Sequence, residues 1–264
     1  MTKRKKKPPG KCVFCNSQGS LTKEHIFPDW LAQYFPKSHG FTDHLTKSPS
    51  RGIVKGRLNR PGAVHSKKLR VVCAECNNGW MSRLQEDAKP YLLRMAQRES
   101  LDFSKKERDV ILKWIVMFCM VLEFADEDSK VIYQKHREQF CKDRTIIGDW
   151  QVWIGKYVPE GNHAFQFNRF GARFYDKSDQ EVGYLQLAGF TLAHVYIQVH
   201  SVFPSGLPWN KGIEKFLSNN DVLPLSECHR LYSDTNRVYT PYCVQKASCE
   251  IAIENRFTPF VFKP

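Results

Sequence analysis

The sequence predicts an α+β protein in which a small cysteine-rich amino-terminal part precedes helices packed on a mostly antiparallel sheet. Two Cys-x-x-Cys pairs, starting at Cys12 and Cys73, lie within the first hundred of 264 residues. Beyond residue 101, apolar residues first recur every three or four positions, as in helices, and later alternate, as in strands. Helices followed by strands favour segregated layers over alternating βαβ units.

The charge of the chain is concentrated in its amino-terminal part. Residues 1–100 carry 20 Lys and Arg against 7 Asp and Glu, whereas residues 101–264 carry 20 of each, so the net charge of +13 lies in the first part. This excess indicates a polyanionic partner, because basic side chains displace counterions condensed on a phosphate backbone. The candidate phosphate-binding residues are Arg51, Lys55, Arg57, Arg60, Lys67, Lys68 and Arg70. Residues 1–11 are expected to form a flexible basic arm, whose lysine run is either a further contact or a solvated charge cluster.

The composition also limits the class of protein. With 42% hydrophobic and 13% aromatic residues, the chain can bury a real core. Its most apolar long segment, residues 110–124, is interrupted by Lys113 and Glu123, so no membrane span is expected. The amino terminus lacks an apolar signal region, and four of nine cysteines have metal-ligand spacing. We therefore expect a soluble protein of a reducing, cytoplasmic compartment.

The two cysteine pairs have the spacing of a tetrahedral zinc site. Cys12 and Cys15 are separated by two residues, as are Cys73 and Cys76, and each pair can turn back onto one ion at about 2.3 Å from each sulfur. From the cysteines alone, the alternative is a zinc ribbon without chemistry. The residues beside the pairs decide between these interpretations.

Three polar residues beside the cysteines have the chemistry of a phosphodiesterase site. Glu24 and His25 follow the first pair, and Asn77 follows the second. A carboxylate and an amide oxygen suit a hard divalent cation, and a neutral imidazole can accept a proton from water at physiological pH. Neighbouring residues on a flat strand point to opposite faces, so Glu24 and His25 require a bulge or twist to serve one cleft.

The stretch from Cys12 to about Gln85, roughly a third of the chain, resembles the HNH endonucleases of the ββα-metal group, in the branch that carries a zinc knuckle of four cysteines. The matching motifs are Lys23-Glu-His-Ile-Phe-Pro28 and Cys73-x-x-Cys76-Asn77. The resemblance implies an amino-terminal ββα-metal unit in residues 12–100, with structural Zn²⁺ on the four cysteines. It also implies that His25 activates the attacking water, while Glu24 and Asn77 hold one Mg²⁺ or Mn²⁺.

The chain departs from the family pattern at two positions. Lys68 stands where the family usually has an asparagine that braces the loop, so that role is unassigned. Trp80 and Met81 stand where many members have a histidine or basic residue one helical turn after the metal-binding asparagine. His65 and Asn78 are the candidates to fill this vacancy.

Short elements are expected around the cysteine pairs. Residues 12–28 are predicted to form a knuckle and a hairpin, and residues 29–35 a short helix that ends at Pro36. Residues 37–62, rich in Ser, Gly, Pro and basic side chains, are expected to form a long loop that lies against nucleic acid or shapes the mouth of the cleft. Residues 69–72 are predicted to form the strand before the second pair.

Helices are expected next. One is predicted to begin at Asn77, with its positive end near an anionic ligand, and Pro90 is expected to restart or kink it. Ser104 and Glu107 form a capping box that starts a second helix, whose apolar stripe indicates a core position. Residues 129–141 are predicted to form a third.

The sheet is expected to follow these helices. Strands are predicted over residues 150–158, 164–170 and 183–187, with one or two more within 190–203. We therefore expect residues 101–264 to form an accessory α+β domain that orients substrate or senses a regulatory partner or small molecule. A homodimer that forms through this domain is a further possibility.

Together these features predict a metal-dependent endonuclease that nicks or cleaves DNA, with RNA as the alternative substrate. We expect bacterial or phage cytoplasm, and by analogy a role in phage defence, restriction or mobile-element biology. Two alternatives remain: a non-catalytic zinc-knuckle nucleic-acid-binding protein, and a structural or regulatory protein whose basic region binds an acidic partner.

Overall fold

Helices and antiparallel sheets combine in this chain, as the sequence predicts. A computed structural model describes residues 9–35, 41–42, 44–48, 52–63, 66–99, 101–126, 130–159, 164–205 and 223–224. The candidate residues Arg51 and His65 lie outside these ranges, as does most of the amino-terminal arm. None of the helices in the described ranges combines the length and apolar character that a membrane crossing requires.

The elements follow one another in a fixed order along the chain. The strands are β1 (Gly10–Lys11), β2 (Gln18–Gly19), β3 (Leu21–His25), β4 (Phe41–Thr42), β5 (Leu45–Ser48), β6 (Gly52–Lys55), β7 (Arg60–Pro61), β8 (Lys68–Cys73), β9 (Asp149–Lys156), β10 (Phe167–Tyr175), β11 (Glu181–Leu192), β12 (Val195–Phe203) and β13 (Leu223–Pro224). The helices are α1 (Leu31–Tyr34), α2 (Ala74–Cys76), α3 (Ser82–Ala96), α4 (Lys105–Leu122) and α5 (Gln134–Asp143). A π-helical turn, Asn77–Met81, joins α2 to α3.

Strands β3 and β8 pair antiparallel and lead into the helix that follows the second cysteine pair. Leu21 is opposite Cys73 and His25 is opposite Lys68. The helix starts at Ala74, where the Cys73 sulfur accepts a hydrogen bond from the Cys76 amide. The expected start at Asn77 is therefore three residues too late, because a cysteine sulfur serves as the amino-terminal cap. Helix α3 continues through the proline at position 90.

The expected long loop between residues 37 and 62 is wrong in part, since its described residues form two pairs of strands. Strand β4 pairs with β7, and β5 pairs with β6, so that the second pair extends from the first. Residues with high strand propensity, such as Thr46 and Val54, lie among Ser, Gly and Pro residues, which favour turns. The sequence therefore did not predict these strands. We call residues 41–61 the β-arm.

Helix α4 forms the centre of the core. Its capping box is present as predicted, with Ser104 and Glu107 each bonding the other's backbone amide. The Phe118 ring lies 4.3 Å from the Phe190 ring of β11 and 5.3 Å from Phe27, the second residue after β3. The buried apolar core is continuous from the first cysteine pair to the large sheet. The boundary expected at residue 100 stays a prediction.

The large sheet has the strand order β10-β11-β12-β9-β13, and every pair is antiparallel. Its strands agree with the predicted ones in place but not in length: β10 ends five residues later than predicted, and β11 runs to Leu192. Both faces of β12 are buried, so its sequence lacks the alternation of apolar and polar residues from which the ends of a strand are predicted. Helix α5 begins at Gln134 rather than at residue 129.

A buried ion-pair network closes the carboxyl-terminal end of α4. Glu123 is fully buried, and one of its oxygens accepts hydrogen bonds from the amides of Val131 and Ile132 at 3.0 and 3.2 Å. Arg137 pairs with the other oxygen, and Arg169 of β10 lies 3.5 Å from the first. Since loss of one partner would leave a buried charge uncompensated, this network fixes α4, α5 and the sheet relative to one another.

Two buried histidines predict that the fold loses stability in acid. Burial lowers the pKa of His136 to about 4, with Lys135 and Arg137 adding to the effect, and burial alone lowers the pKa of His200 to about 3. An unfolded chain holds these protons with a pKa of about 6.5, so unfolding takes up protons below that pH. The free energy of unfolding in urea is therefore expected to fall as the pH drops from about 6.5 towards 4.

A His200→Gln variant isolates one of these groups, because comparison with the parent protein cancels all other titrations. Between pH 6.5 and 5, the slope of unfolding free energy against pH is expected to change by up to about 1.4 kcal/mol per pH unit. Equal slopes for the two proteins would contradict the expectation.

Candidate metal centre and catalytic pocket

The four predicted cysteines come together from two distant parts of the chain. The sulfurs of Cys12, Cys15, Cys73 and Cys76 all lie within 4.8 Å of one another. In the described ranges, this is the one group of three or more Cys, His, Asp or Glu side chains with ligand atoms so close. The Cys15 and Cys73 sulfurs are 3.6 Å apart, near the distance of about 3.8 Å that a tetrahedron with bonds of about 2.3 Å requires. The group has the ligand set and spacing for a metal such as zinc.

The local backbone explains how each pair turns back on itself. In the first pair, the amide of Asn16 bonds the carbonyl of Cys12, and Asn16 adopts a left-handed conformation with φ of 59°. Asparagine tolerates this region better than most residues. The amide of Val13 bonds the carbonyl of Val71 in β8, which brings the first pair beside the second.

The thiols differ in how readily they ionise. Burial raises the pKa of both Cys12 and Cys76. Burial also opposes ionisation of Cys15, but hydrogen bonds from Ser17 and contacts with the neighbouring thiols outweigh it and lower the pKa of Cys15 to about 7. A metal would therefore bind with release of protons from the buried thiols, which couples metal binding to the folded arrangement.

A fifth cysteine lies at the edge of this group. The Cys141 sulfur of α5 is 3.7 Å from that of Cys76, although Cys141 is not within reach of all four sulfurs. Trp80 holds α5 in this position: its ring contacts Phe14 at 4.9 Å, and the Arg144 guanidinium lies 3.9 Å above it. The residue that departs from the HNH pattern thus packs the cysteine group against the rest of the protein.

Glu24 and His25 line one pocket, although they are neighbours on β3. The register of β3 and β8 shifts between Thr22 and Lys23, so Val71 is an extra residue in β8. Such a bulge increases the local twist, but it precedes Glu24 and His25, which pair in regular register with Leu69 and Lys68. The space between the lining residues of the pocket, about 240 Å³, includes solvent at its open side. It is lined by Glu24, His25, Ile26, Pro28, Gln85, Trp114, Met117, Phe118 and Val121.

Gln85 of α3 is a site residue that the sequence analysis missed. Its Nε2 donates to Glu24 Oε1 at 2.9 Å. Glu24 is 6% exposed, and burial raises its pKa to about 7, although Gln85 and Lys68 both act to lower it. The contact spans 61 residues, and nothing in the local pattern of α3 distinguishes Gln85 from any other polar residue of a helix.

Asp29 was also not predicted as a site residue. One of its carboxylate oxygens lies 3.2 Å from His25 Nε2. The spacing of four residues after the histidine is the signal that could have identified it, because the chain turns into α1 there. A proton on Nε2, facing the carboxylate, would leave the lone pair on Nδ1.

The predicted metal ligand Asn77 lies against the same strand but not in the pocket lining. Its Nδ2 donates to Thr22 Oγ1 at 2.9 Å, and that hydroxyl donates to the carbonyl of Val72 at 3.0 Å. Asn78, the weaker candidate, is exposed. The structure thus brings Glu24 and His25 together with Gln85, and places Asn77 at Thr22, two residues before Glu24.

The basic candidates divide into exposed and buried residues. The exposed ones in the described ranges are Lys55, Arg57, Arg60, Lys68 and Arg70. The prediction that Lys67 binds phosphate is wrong. Lys67 is 2% exposed, and its ammonium donates to the carbonyls of Arg60 and Pro61 at 2.8 and 2.6 Å. Lys67 therefore holds the end of the β-arm and does not present its charge to a phosphate.

The four-sulfur arrangement predicts one equivalent of zinc per chain. Cys76→Ser is expected to lose most of the bound metal and to lower the melting temperature, because structural zinc contributes directly to folding. Cys141→Ser is the matched control and is expected to keep one equivalent. Elemental analysis of the purified proteins measures this. Loss of metal in the Cys141→Ser variant alone would contradict the assignment of the four ligands.

Comparisons of the chain with protein-family models, with curated proteins and with solved structures find no match. The endonuclease resemblance of residues 12 to 85 therefore rests on the motifs in the sequence. Any functional assignment depends on the residues of the site and on their geometry.

Proposed function

We propose that the protein is a metal-dependent HNH-type endonuclease that nicks or cleaves DNA in the cytoplasm of a bacterium or phage-infected cell. One observation carries the proposal: Glu24 and His25 line a common pocket on the strand that the cysteine group fixes beside β8. A carboxylate and an imidazole at one pocket supply a cation ligand and a proton acceptor. Phage defence, restriction and mobile-element biology are the roles that analogy suggests.

His25 is the proposed general base. It takes a proton from the water that attacks the phosphorus atom, and the bond to the leaving sugar oxygen breaks. Asp29, 3.2 Å from Nε2, favours the tautomer in which Nδ1 accepts that proton, and it stabilises the imidazolium that forms. Proton acceptance requires the neutral form of the imidazole.

Glu24 is the proposed ligand of the divalent cation in the pocket, and Asn77, which lies at Thr22 outside the pocket lining, is the second ligand that the resemblance implies. Mg²⁺ or Mn²⁺ would supply charge stabilisation for the phosphate and the leaving oxygen. The donor set fits a hard cation, since carboxylate and amide oxygens are its preferred ligands. Gln85 holds one Glu24 oxygen through its amide, which leaves the other oxygen for the ion. In this proposal Gln85 positions the carboxylate, and the four cysteines hold a structural Zn²⁺.

The charge distribution supports a nucleic-acid substrate. Lys68 is opposite His25 in the β3–β8 pair, and Arg70 is opposite Lys23, so exposed cations flank the pocket on one strand. A polyanionic backbone lying along β8 would pass the general base. DNA is the proposed substrate, and RNA remains the alternative that this chemistry accommodates equally.

A non-catalytic nucleic-acid-binding protein is the second candidate, and one observation favours it. Glu24 is almost completely buried, one of its oxygens already has a hydrogen-bond partner in Gln85, and its raised pKa favours the neutral acid, which needs no cation. In that case the cysteine group and the basic strands would serve binding alone. The following experiment separates the two candidates.

Wild-type protein is expected to nick supercoiled plasmid in the presence of Mg²⁺ or Mn²⁺ and not with EDTA. His25→Ala is expected to reduce the rate by about 10²- to 10⁴-fold, the usual contribution of a general base. His194→Ala is the matched control: His194 lies at the turn between β11 and β12, and its ring contacts Arg98. Nicked plasmid on agarose gels gives the rate.

Gel retardation of the plasmid without nicking would support the binding protein instead. Neither retardation nor nicking would support a protein whose basic region binds an acidic partner. Equal rates for His25→Ala and His194→Ala would remove His25 from the mechanism and assign the activity to another site or to a contaminant.

Gln85→Ala tests the role of the residue that the sequence did not reveal. Without its hydrogen bond, Glu24 loses a fixed orientation, and the cation concentration for half-maximal nicking is expected to rise about 10- to 100-fold, as for other residues that orient a metal ligand. The rate at saturating cation should change less. Gln97→Ala, at the exposed end of α3, is the matched control and should leave both values unchanged.

A further inference from the structure

The β-arm carries two apolar side chains that the fold leaves in solvent. Leu45 is 65% exposed and Ile53 is 75% exposed, whereas the other large hydrophobic residues in the described ranges are exposed by 40% or less. Leu45 is opposite Lys55 in the β5–β6 pair, and Ile53 precedes Lys55 by two residues. Because residues alternate along a strand, these three side chains share one face.

The opposite face of the same pair is attached to the body of the protein. Thr46 and Val54 are half-buried, and the Thr46 hydroxyl bonds the Asp126 carboxylate. His44 Nε2 lies 3.2 Å from that carboxylate, and Arg57 donates to the carbonyl of Phe124 at 2.8 Å. These contacts orient the arm, so the face with Leu45 and Ile53 is directed to solvent.

The base of the β-arm lies beside the candidate pocket. Arg60 of β7 donates to the carbonyl of Lys68 at 3.4 Å, and Lys68 is opposite His25. Lys67 bonds the carbonyls of Arg60 and Pro61 from the other side. A duplex that presents a phosphate to His25 would therefore lie next to the base of the arm.

The positive charge of the β-arm indicates which kind of partner binds the face with Leu45, Ile53 and Lys55. Residues 41–63 contain five Lys and Arg against one acidic residue, Asp43, which lies outside the described residues. Lys55, Arg57 and Arg60 are exposed in the structure. A surface that combines apolar side chains with an excess of cations complements base steps flanked by phosphates. Proteins that enter the minor groove use the same combination, with an apolar side chain inserted between bases and cations on the backbone.

We propose that the β-arm enters the minor groove of duplex DNA beside the cleavage site, where Leu45 and Ile53 wedge against a base step while Lys55 contacts a phosphate. The proposal rests on the proposed function and names the feature of the substrate that the enzyme reads. Wedging between bases bends the duplex. Sequences with easily unstacked steps, such as TA and CA, are therefore the preferred sites.

Binding is measured with the full-length His25→Ala protein, whose cutting is expected to be about 10²- to 10⁴-fold slower, on a short duplex with a fluorophore at each end. The parent is expected to bend the duplex and raise energy transfer. Leu45→Ser and Ile53→Ser are each expected to weaken binding about tenfold or more, as loss of a buried aliphatic contact does. The double variant should also abolish the bend. Val182→Ser, at an exposed apolar position of β11, is the control and should behave as the parent.

Salt dependence separates the apolar contacts from the ionic ones. Lys55→Ala is expected to lower the slope of log affinity against log salt by about one, since one phosphate contact is lost. The two serine variants should keep the parental slope. Unchanged melting temperatures show that the exposed substitutions leave the fold intact, and the single variants provide the test if the double variant is unstable.

Three outcomes overturn the inference. If the double variant binds and bends the duplex like the parent, Leu45 and Ile53 do not wedge against a base step, and the nuclease proposal is unaffected. A parental dimer that the double variant converts to a monomer, with DNA binding retained, assigns the face to a second copy of the chain. Failure of the His25→Ala protein to bind DNA at all overturns the proposed DNA substrate as well.

Discussion

The convergence of four sulfurs is the constraint on which the rest of the site depends. Cys15 and Cys73 are 58 residues apart in the chain, and bringing them to 3.6 Å closes a long loop whose entropy must be offset by ligand bonds or packing. Once the loop is closed, Leu21 is opposite Cys73 and His25 is opposite Lys68. The register of β3 against β8, and hence the position of the candidate general base, follows from the cysteines rather than from the strands, which are too short to pair stably alone.

The bulge at Val71 links this register to the first cysteine pair. The carbonyl of the extra residue accepts the amide of Val13, which brings the first pair beside β8. Glu24 and His25 follow the bulge in regular register, and His25 is the last residue of β3, so the pocket lies where the strand ends. The wall opposite Glu24 and His25 comes from α4, through Trp114 and Phe118. Residues beyond position 101 therefore contribute directly to the site.

Local signals in the sequence predicted the parts of the molecule that local physics determines. Cysteine spacing, the Ser104 capping box and the stripe of α4 each follow from residues within one or two turns of each other, and the structure contains all three. Gln85 could not be predicted, because its significance comes from Glu24, a contact between distant parts of the chain. The sequence predicts a loop at the β-arm for a related reason: its strands are half-exposed, and six of its 21 residues are Ser, Gly or Pro, which favour turns in isolation.

Burial of Glu24 gives the clearest physical link between fold and proposed chemistry. A carboxyl group at 6% exposure, with its pKa raised to about 7, is poorly solvated as an anion and gains more from a cation than a surface carboxylate would. Gln85 satisfies one oxygen only, so the second retains its affinity for a positive charge. The α4 side of the pocket is apolar, and charge interactions are stronger beside apolar surface than in bulk water. The cost of burying a carboxylate is met either by a proton, as the raised pKa of Glu24 indicates, or by a cation, which is the part that the proposed function adds.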